Sequence, residues 1–595
     1  MLTSALCAAQ DYIASPDLES DLKAELDPII QAARIGDATA IAEIQDRFSE
    51  PLTFGTGGLR GYMAAGLRRI NKPNIRRATS ALVQVAKKYV PNNNTALVGF
   101  DTRLKSHLFA KETARVLAEA GYIVYLGKQP LPTPFLCYAM RKLGTACGVI
   151  ITASHNPKDY NGYKAYNNFG GQVLTPWDKD IETIMSTLPT VPPPVSDKND
   201  NKILPIPNTL EEDYLNLGLQ LRRLPKVFTP AKILYTPFHG TGITFVPELY
   251  RRAGLQLQIC DSQAIQDGTF PTAPRPNPEE ITAYQVPIMD AKCKGVEIII
   301  SNDPDADRIG LVAPNNGDWE LMTGNDLVAL TLDYLCCHSN CKGVLITTVV
   351  TSDFVAEVAR YHGLEVIWTL TGFKYIALSM DTINDSFEHF IFGAEESSGM
   401  QLSNEMRDKD GVIAALFVGE MAGHYKALGM NPFEAVAKLR QKVGTFYNRL
   451  VNLEDSSPGG AVRFANFMNH IRQIRPIVFA GERIRIWEDF QEGKWYSDGD
   501  TGTIVDRPNN YLAKPIERSN VLKLRLASGS FVAFRPSGTE PKLKVYLQSC
   551  TTTAFLDDME AQARNLLLGN PEKGEKILLP NQHATSHQRH TNYCK

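Results

Sequence analysis

The length, composition and charge of the chain already restrict what it can be. At about 150 residues per domain, its 595 residues predict four domains or so. Hydrophobic residues make up 43% of the chain and charged residues 21%, which is typical of a globular protein. The 62 Lys and Arg against 65 Asp and Glu leave a net charge of -3, which argues against holding nucleic acid through overall charge.

The sequence has none of the features of a secreted or membrane protein. Its first 20 residues predict a helix, and they lack the basic region of a secretory signal. No apolar stretch reaches the roughly 18 residues that a membrane span needs. The 10 cysteines are scattered without a CxxC pair, which is typical of reduced thiols. We therefore expect a cytoplasmic protein.

Three segments repeat one plan, in which short β-branched strands alternate with amphipathic helices. In chain order, the predicted strands are Thr95–Phe100, Tyr122–Leu126 and Cys147–Thr152; a strand from Lys232, Leu255–Cys260 and Val296–Ser301; and Val344–Val350, Leu364–Thr369 and His389–Phe392. This alternation predicts α/β layers with mixed or parallel sheets. Each segment ends in a polar loop at the carboxyl end of a strand, where such sheets place ligands. The three loops are therefore expected to face one cleft.

The pattern changes after about Val451. Separate predicted strands follow, and then a helix at Ala554–Leu568, which indicates a smaller α+β domain; the strands are Gly502–Val505, Val521–Leu526, Phe531–Phe534 and Lys544–Gln548. The stretch from Pro189 to Asn201 is expected to be an exposed connection or insertion near the end of the first domain. The predicted domains are 1–225, 226–340, 341–455 and 456–580, followed by a polar tail, 581–595. We interpret the three histidines of that tail as part of a frayed terminus rather than a metal site.

Ser154 follows a buried run and precedes Pro157, with Asn161-Gly162 expected to turn the chain back toward Lys164. A serine held at a rigid turn near cations is a candidate nucleophile, but the same residues also suit a strand-end turn that satisfies backbone groups. The segment lacks the GxSxG motif of serine hydrolases.

Asp303, Asp305 and Asp307 alternate with Pro304 and Ala306, so that a tight loop can direct three carboxylates at one cation. Without a cation these carboxylates would repel one another. An EF-hand would need Gly at its sixth position and Glu at its twelfth, where this chain has Arg and Pro. The loop therefore favours Mg²⁺ over Ca²⁺.

Three further loops carry polar groups. Gly55-Thr-Gly-Gly-Leu-Arg-Gly61 is a glycine-rich turn that matches no nucleotide-binding motif, and it is either a tight turn or a site. Arg535-Pro-Ser-Gly-Thr-Glu-Pro-Lys542 has the guanidinium, hydroxyls and backbone amides of a phosphate clamp, although a hairpin-like turn is the alternative. Glu395 and Ser397 offer an acceptor and a donor for sugar hydroxyls.

Taken together, the loops resemble the four signature loops of the α-D-phosphohexomutase superfamily. The matching segments are Ile151-Thr-Ala-Ser-His-Asn-Pro157 with Tyr160-Asn-Gly-Tyr-Lys164, Asp303-Pro-Asp-Ala-Asp-Arg308, Gly393-Ala-Glu-Glu-Ser397 and Arg535-Pro-Ser-Gly-Thr-Glu-Pro541. These loops occur in the order of the superfamily, and together they span nearly the whole chain. The variants Phe54-Gly-Thr-Gly-Gly-Leu-Arg-Gly61, Thr371-Gly-Phe-Lys374 and Arg407-Asp-Lys-Asp-Gly411 resemble the eukaryotic phosphoglucomutase type 2 and phosphopentomutase subgroup.

The resemblance implies three similar α/β domains and a smaller C-terminal α+β domain, four domains around one central cleft. It also implies a role for each site residue. Ser154 is the phosphorylated catalytic residue, and with Asp303, Asp305 and Asp307 it binds one Mg²⁺, with Arg308 alongside.

The substrate is bound by other residues. Glu395 and Ser397 bind sugar hydroxyls, and the phosphate that is not transferred is bound by Arg535, Ser537, Gly538 and Thr539. The remaining substrate or proton-transfer groups are Arg60, His155, Lys164, Lys374 and Lys409.

One position departs from bacterial phosphomannomutase-like members, which have a histidine right after the sugar loop where this chain has Met400. A histidine base there is excluded, and the base stays open between Lys164, Lys409 and His155. A lysine base would need a lowered pKa, which neighbouring cations and burial can provide.

The function implied is a sugar-phosphate mutase that interconverts 1-phosphates with 6- or 5-phosphates, with a sugar bisphosphate as intermediate and activator. Sugar phosphates are its expected partners, without nucleic acid or membrane, and the chain is expected to be monomeric. A sugar-bisphosphate synthase of the same fold, or an inactive relative that acts as a binding protein, are the alternatives.

Overall fold

The structure is a computed structural model that describes residues 2–55, 57–223, 227–384, 389–455, 460–497, 503–505, 518–537 and 542–568. The described residues before Thr445 form one compact unit, and those from Thr445 onward form a second. Within the described residues, no helix is both long and apolar enough to cross a membrane.

Three helices open the chain and pack around a small apolar core of their own. They are α1 (Leu2–Ala14), α2 (Ser20–Arg34) and α3 (Ala38–Phe48). Ala9, Leu26 and Ile44 are fully buried in this core. The helix predicted for the start of the chain is confirmed.

The first α/β layer is a mixed six-stranded sheet with the order β1-β5-β4-β2-β3-β6. Its strands are β1 (Gly58–Tyr62), β2 (Thr95–Phe100), β3 (Ile123–Leu126), β4 (Cys147–Ile151), β5 (Tyr160–Tyr166) and β6 (Ile203–Pro205). Its helices are α4 (Lys72–Tyr89), α5 (Ser106–Glu119), α6 (Thr133–Leu143), α7 (Trp177–Thr187) and α8 (Thr209–Gln220). The strands β2, β3, β4 and β6 are parallel, whereas β5 runs antiparallel to both β4 and β1.

The second layer is a mixed five-stranded sheet, and its order is β11-β10-β9-β7-β8. Its strands are β7 (Ile233–Thr236), β8 (Gln258–Ile259), β9 (Ile298–Asn302), β10 (Ile309–Asn315) and β11 (Asp318–Leu321). Its helices are α9 (Val246–Arg252), α10 (Asp261–Ala264) and α11 (Gln285–Lys294).

The third layer is a mixed four-stranded sheet with the order β13-β12-β14-β15. Its strands are β12 (Val344–Thr348), β13 (Glu365–Thr369), β14 (Phe390–Glu395) and β15 (Gly399–Gln401). Its helices are α12 (Gly324–Cys337), α13 (Asp353–Tyr361), α14 (Phe373–Asn384), α15 (Gly411–Ala427) and α16 (Pro432–Val443).

The second unit is an antiparallel sheet with two helices. Its strand order is β16-β23-β22-β21-β18-β19-β20, and β17 pairs with β18. The elements are β16 (Tyr447–Glu454), α17 (Gly460–Ile474), β17 (Val478–Phe479), β18 (Glu482–Asp489), β19 (Lys494–Ser497), β20 (Thr503–Val505), β21 (Leu522–Leu526), β22 (Phe531–Pro536), β23 (Lys542–Ser549) and α18 (Thr553–Leu568). The predicted fold class, three α/β domains with mixed sheets and a smaller C-terminal α+β domain, is confirmed.

The expected turn at Asn161-Gly162 is wrong, because both residues lie inside β5 and pair with β1. Glycine is needed here for close packing rather than for a turn: a Cβ on Gly162 would lie 2.4 Å from the carbonyl oxygen of Thr152. The Asn161 amide donates to the carbonyl oxygen of Leu104 and to the hydroxyl of Ser106, both at 3.0 Å. The chain reverses before β5 instead, in the segment that contains Ser154.

Candidate active site

Ser154 lies in the loop between β4 and β5, and its side chain points at the metal loop. Its hydroxyl donates to Oδ2 of Asp303 at 2.6 Å and lies 3.1 Å from Nδ1 of His155. The residue is 3% exposed and has a φ of 53°. A non-glycine residue in this left-handed region is strained, and such strain is concentrated at functional sites.

Arg103, which the sequence analysis missed, holds the backbone of this loop. Its guanidinium donates to four backbone carbonyl oxygens, those of Ser154 (2.6 Å), Asn156, Pro157 (2.8 Å) and Tyr160 (3.0 Å). It also pairs with Asp101 at 3.3 Å. Arg103 therefore positions Ser154 without reaching the serine hydroxyl itself.

The three aspartates of the metal loop are together, as the sequence predicts. Asp303, Asp305 and Asp307 are at most 1% exposed, and one oxygen of each lies within 4.8 Å of the others. The loop is anchored at Pro304, whose carbonyl oxygen accepts from the amide and hydroxyl of Thr241 at 2.8 and 2.9 Å. Oδ1 of Asp305 and Oδ1 of Asp307 are buried and have no hydrogen-bond partner within the described part of the chain. Such oxygens suit a hard cation.

Two lysines, one on β5 and one in the loop before α15, approach the same carboxylates. Nζ of Lys164, on β5, lies 2.7 Å from Oδ2 of Asp305 and 3.2 Å from Oδ2 of Asp307. Nζ of Lys409 lies 3.1 Å from the same Asp307 oxygen. A Cβ on Gly399 would lie 2.4 Å from Cδ of Lys409, so glycine leaves the space that this side chain occupies.

Lys164 and Lys409 both have raised pKa values, whereas a lysine that acts as a general base needs a lowered one. Burial alone would lower the pKa of Lys164, but the carboxylates of Asp305, Asp307 and Asp408 outweigh it and raise the pKa. Lys409 behaves in the same way, since burial is outweighed mainly by Asp307 and Asp408. A lysine base would need a lowered pKa, and these carboxylates act in the opposite direction. Both side chains are therefore cations at neutral pH.

The three aspartates do not share charge equally. Burial, together with its two acidic neighbours, raises the pKa of Asp303 well above its usual range. Burial would also raise the pKa of Asp307, but Lys409 and Lys164 outweigh it and lower that pKa. The pKa of Asp305 is lowered as well, because Lys164 and hydrogen bonds outweigh burial and Asp307. The negative charge is therefore concentrated on the two aspartates beside the lysines.

Two predicted arginines support the loops. The backbone N–H of Arg308 donates to Oδ1 of Asp303 at 3.0 Å, while its guanidinium pairs with Glu279 at 2.7 Å. Arg60, on β1, donates to Oδ1 of Asn156 at 3.1 Å, next to Ser154 and His155. Thr133, at the start of α6, was not predicted, and its hydroxyl donates to Oδ2 of Asp305 at 3.0 Å.

The sugar loop starts at Glu395, the last residue of β14. Glu395 is 5% exposed, and its Oε1 accepts from the N–H of Gly372 at 3.0 Å. Burial raises the pKa of Glu395 to about 7, although Lys409 opposes it. Ser397 is half-buried in the same loop. Lys374 is 7% exposed, and its Nζ lies 5.1 Å from the centre of the Tyr375 ring.

The predicted phosphate loop belongs to the second unit. Arg535 lies on β22, with its guanidinium 3.5 Å from the hydroxyl of Tyr546. The backbone N–H of Ser537 donates to the carbonyl oxygen of Lys542 at 2.8 Å. Gly538 and Thr539 lie outside the described residues. Phosphate binding by this loop stays a prediction.

Three family models match consecutive parts of the chain. They describe the α/β/α domains I, II and III of phosphoglucomutase/phosphomannomutase, and they match residues 51–191, 213–317 and 323–442. Ser154, the aspartate triad and the sugar loop fall within the first, second and third match, respectively.

Individual relatives agree with these matches. A phosphoglucomutase of Staphylococcus aureus (strain MRSA252) is 32% identical over 515 residues, which cover 85% of this chain and 91% of the relative. The fold is similar to that of parafusin, a Paramecium phosphoglucomutase in its open form, with a TM-score of 0.63 and 18% sequence identity; the match covers 86% of this chain and 93% of parafusin. It is also similar to that of a phosphoglucomutase/phosphomannomutase family protein of Burkholderia thailandensis, with a TM-score of 0.62 and 17% sequence identity; this match covers 86% of this chain and 96% of the other. The predicted superfamily is thereby confirmed, and the chain belongs to the phosphoglucomutase/phosphomannomutase family.

Proposed function

We propose that the chain is a Mg²⁺-dependent mutase that moves a phosphoryl group within a sugar phosphate, by way of a phosphoserine at Ser154 and a sugar bisphosphate. Its proposed substrates are α-D-glucose 1-phosphate and glucose 6-phosphate, ribose or deoxyribose 1- and 5-phosphates, or both. The observation that carries the proposal is the 2.6 Å hydrogen bond from Ser154 to the metal-loop residue Asp303, beside Lys164 and Lys409. Phosphoryl transfer needs mainly positioning and charge stabilisation, which this arrangement supplies.

The metal loop fits Mg²⁺. The unpartnered oxygens of Asp305 and Asp307 are hard ligands of the kind that Mg²⁺ prefers. Asp303, Asp305, Asp307 and the phosphate on Ser154 are its proposed ligands. When bound, Mg²⁺ would offset the negative charge of the transferring phosphoryl group.

The residues around the metal loop have separate proposed roles. In the first transfer, the bond between phosphorus and Oγ of Ser154 breaks as a free sugar hydroxyl takes the phosphoryl group, and the proton of that hydroxyl passes to the released Oγ. In the return transfer, Oγ loses its proton as it takes the other phosphate of the bisphosphate, and Nδ1 of His155, 3.1 Å away, is the proposed proton acceptor. Lys164 and Lys409 act as cations that balance phosphate charge, because their pKa values are raised.

The sugar and the second phosphate are assigned to other loops. Glu395 and Ser397 bind sugar hydroxyls, while Lys374, Arg308 and Arg60 act as substrate-binding cations. Arg535, Ser537, Gly538 and Thr539 bind the phosphate that is not transferred, by resemblance to the family. A cytoplasmic location, a monomeric state and the absence of nucleic-acid and membrane partners stay predictions.

One experiment tests both the chemistry and the substrate class. Purified protein is assayed with glucose 1-phosphate and with ribose 1-phosphate, with and without Mg²⁺ and the matching bisphosphate. Its intact mass should show one phosphate that Ser154→Ala removes, together with all turnover. Ser186→Ala, which changes an exposed serine of α7, is the matched control and should retain both. A turnover-competent phosphate on another residue would contradict the mechanism, and the ratio of the two rates assigns the sugar.

A further inference from the structure

A second cluster of potential metal-binding side chains lies where α12 and α13 end. Asp333 and Cys337 are four residues apart on α12 and so share one face of the helix. His362 directly follows the last residue of α13. One coordinating atom of each of the three residues lies within 4.8 Å of the others. The active-site residues described above are not part of this cluster.

The cluster surrounds a buried carboxylate that has no permanent cation. Asp333 is 5% exposed. Its Oδ1 lies 2.8 Å from Nε2 of His362 and 3.9 Å from Sγ of Cys337, and its Oδ2 accepts from the hydroxyl of Tyr425 at 3.3 Å. No lysine or arginine in the described segments forms an ion pair with it. Burying an anion without a compensating cation is costly, so a cation at this position would stabilise the site.

The spacing suits a tetrahedral ion. Zinc bonds of about 2.0 to 2.3 Å place neighbouring ligand atoms roughly 3.3 to 3.8 Å apart. The separation of 3.9 Å between Cys337 and Asp333 is close to that range, and the 2.8 Å between His362 and Asp333 has to increase by about half an ångström. Tyr425 holds the other carboxylate oxygen, as the hydrogen-bond partners of metal ligands usually do. Cys337 is exposed, which leaves a side open for water as the fourth ligand.

We propose that Asp333, Cys337 and His362 bind a divalent transition-metal ion of the zinc type, at a site separate from the aspartate triad. A thiolate and an imidazole select zinc over magnesium, whereas the all-oxygen triad has the opposite preference. Burial and Asp333 raise the pKa of Cys337 to about 11, so the ion displaces the thiol proton into solvent as the metal–sulfur bond forms.

The proposal is tested on the full chain with Co²⁺ as an optical probe. Chelator-treated protein is titrated with Co²⁺ in excess Mg²⁺, which occupies the oxygen site. We expect one Co²⁺ per chain, with a thiolate-to-cobalt charge-transfer absorption that Zn²⁺ abolishes. Cys337→Ser should remove this absorption and weaken binding at least about tenfold. His362→Gln should weaken binding but retain the absorption.

Two controls keep the result interpretable. Cys293→Ser changes another exposed cysteine, on α11, and should leave the titration unchanged. In the unaltered protein, Zn²⁺ should protect Cys337, but not Cys293, from alkylation by iodoacetamide, as measured by peptide mass spectrometry. The proposal is overturned if the charge-transfer band is absent, if it survives Cys337→Ser, or if Zn²⁺ leaves the alkylation of Cys337 unchanged.

Discussion

At the scale of single residues, Arg103 determines the shape of the serine loop. Arg103→Lys keeps a positive charge opposite Asp101 but cannot hold four carbonyl oxygens at once, because an ammonium group lacks the planar fork of a guanidinium. Ser154 should then lose its fixed position. Since misplacing a reacting group by about 1 Å can lower a rate about 100-fold, we expect kcat to fall about 10- to 100-fold, with a smaller change in KM, in steady-state assays.

The matched control is Arg115→Lys. Arg115 is also paired with an aspartate, Asp200 at 2.7 Å, but that pair is partly exposed. This variant should keep its kcat. A wild-type kcat in Arg103→Lys, at an unchanged melting temperature, would show that the loop keeps its shape without the guanidinium.

The raised pKa of Glu395 predicts how substrate binding depends on pH. With a pKa of about 7, Glu395 is ionised above neutral pH and becomes protonated as the pH falls. If the carboxylate accepts hydrogen bonds from sugar hydroxyls, its contribution to kcat/KM should decline below pH 7, about tenfold per pH unit. Glu395→Gln should be slower at pH 8, and the ratio of wild type to variant should shrink toward pH 6. A ratio that stays constant from pH 6 to pH 8 would contradict this role.

The site residues that the sequence predicts belong to short motifs, whereas the site residues that it misses do not. The aspartate triad repeats every second position in a short loop, so its chemistry is visible in the sequence itself. Arg103 donates to carbonyl oxygens more than 50 residues away, and Thr133 donates to Asp305 from the start of α6. Neither residue belongs to a pattern of its own. Their roles depend on tertiary contacts, which spacing along the chain does not reveal.

At the scale of elements, Asp410 joins two helices. Its side chain caps α15 by accepting from the N–H of Ile413 at 2.8 Å, and it accepts from the hydroxyl of Tyr214, on α8, at 2.9 Å. Burial raises the pKa of Asp410 to about 7, although these hydrogen bonds oppose it. In the unfolded chain its pKa is about 3.9. The folded protein therefore binds more protons at this group between about pH 4 and pH 7.

This difference sets the direction of a stability test. The contribution of protonated Asp410 is fully present below pH 4 and is lost as the pH rises through 7. Asp410→Asn keeps a cap and does not titrate, so its stability relative to wild type should increase from pH 4 to pH 8, by up to about 4 kcal/mol at 1.36 kcal/mol per pKa unit. Apparent melting temperatures of both proteins across this range measure the change. A difference that is independent of pH would show that Asp410 is not buried as a proton-binding group.

The strands that the sequence predicts best are those formed by continuous apolar runs. The run from Thr95 to Phe100 is almost wholly buried in β2, and its apolar character predicts both ends of the strand. The strands β1 and β5 were not predicted, because their sequences are rich in glycine and polar residues, as in Tyr160–Tyr166. They are strands because β1 pairs with β5 and β5 pairs with β4, and this depends on partners distant in sequence.

At the scale of the whole molecule, each compact unit has an apolar core of its own. Val98, Val149 and Leu117 are fully buried in a core of the first unit, and Leu524 and Val545 in the core of the second. Ser154, the aspartate triad and the sugar loop belong to the first unit, while Arg535 belongs to the second. The proposed chemistry is therefore divided between the units: the first holds the proposed phosphoserine, metal-binding and sugar-binding residues, and the second holds Arg535.

A chain that ends at Gly444 tests this division. Because the first unit has its own cores, we expect the shortened protein to fold, to melt at a higher temperature in Mg²⁺, and to retain the aspartate triad. It should lose at least as much kcat/KM as Arg535→Ala does in the full chain, for which a lost charge-assisted phosphate contact of roughly 1.5 to 3 kcal/mol predicts about a 10- to 150-fold decrease. Asp305→Asn in the shortened chain should abolish the Mg²⁺ effect on melting, which separates metal binding from turnover. If the shortened protein folds, binds Mg²⁺ and turns over sugar phosphate at the full-length rate, then the second unit holds no substrate phosphate, and the role proposed for Arg535 is wrong.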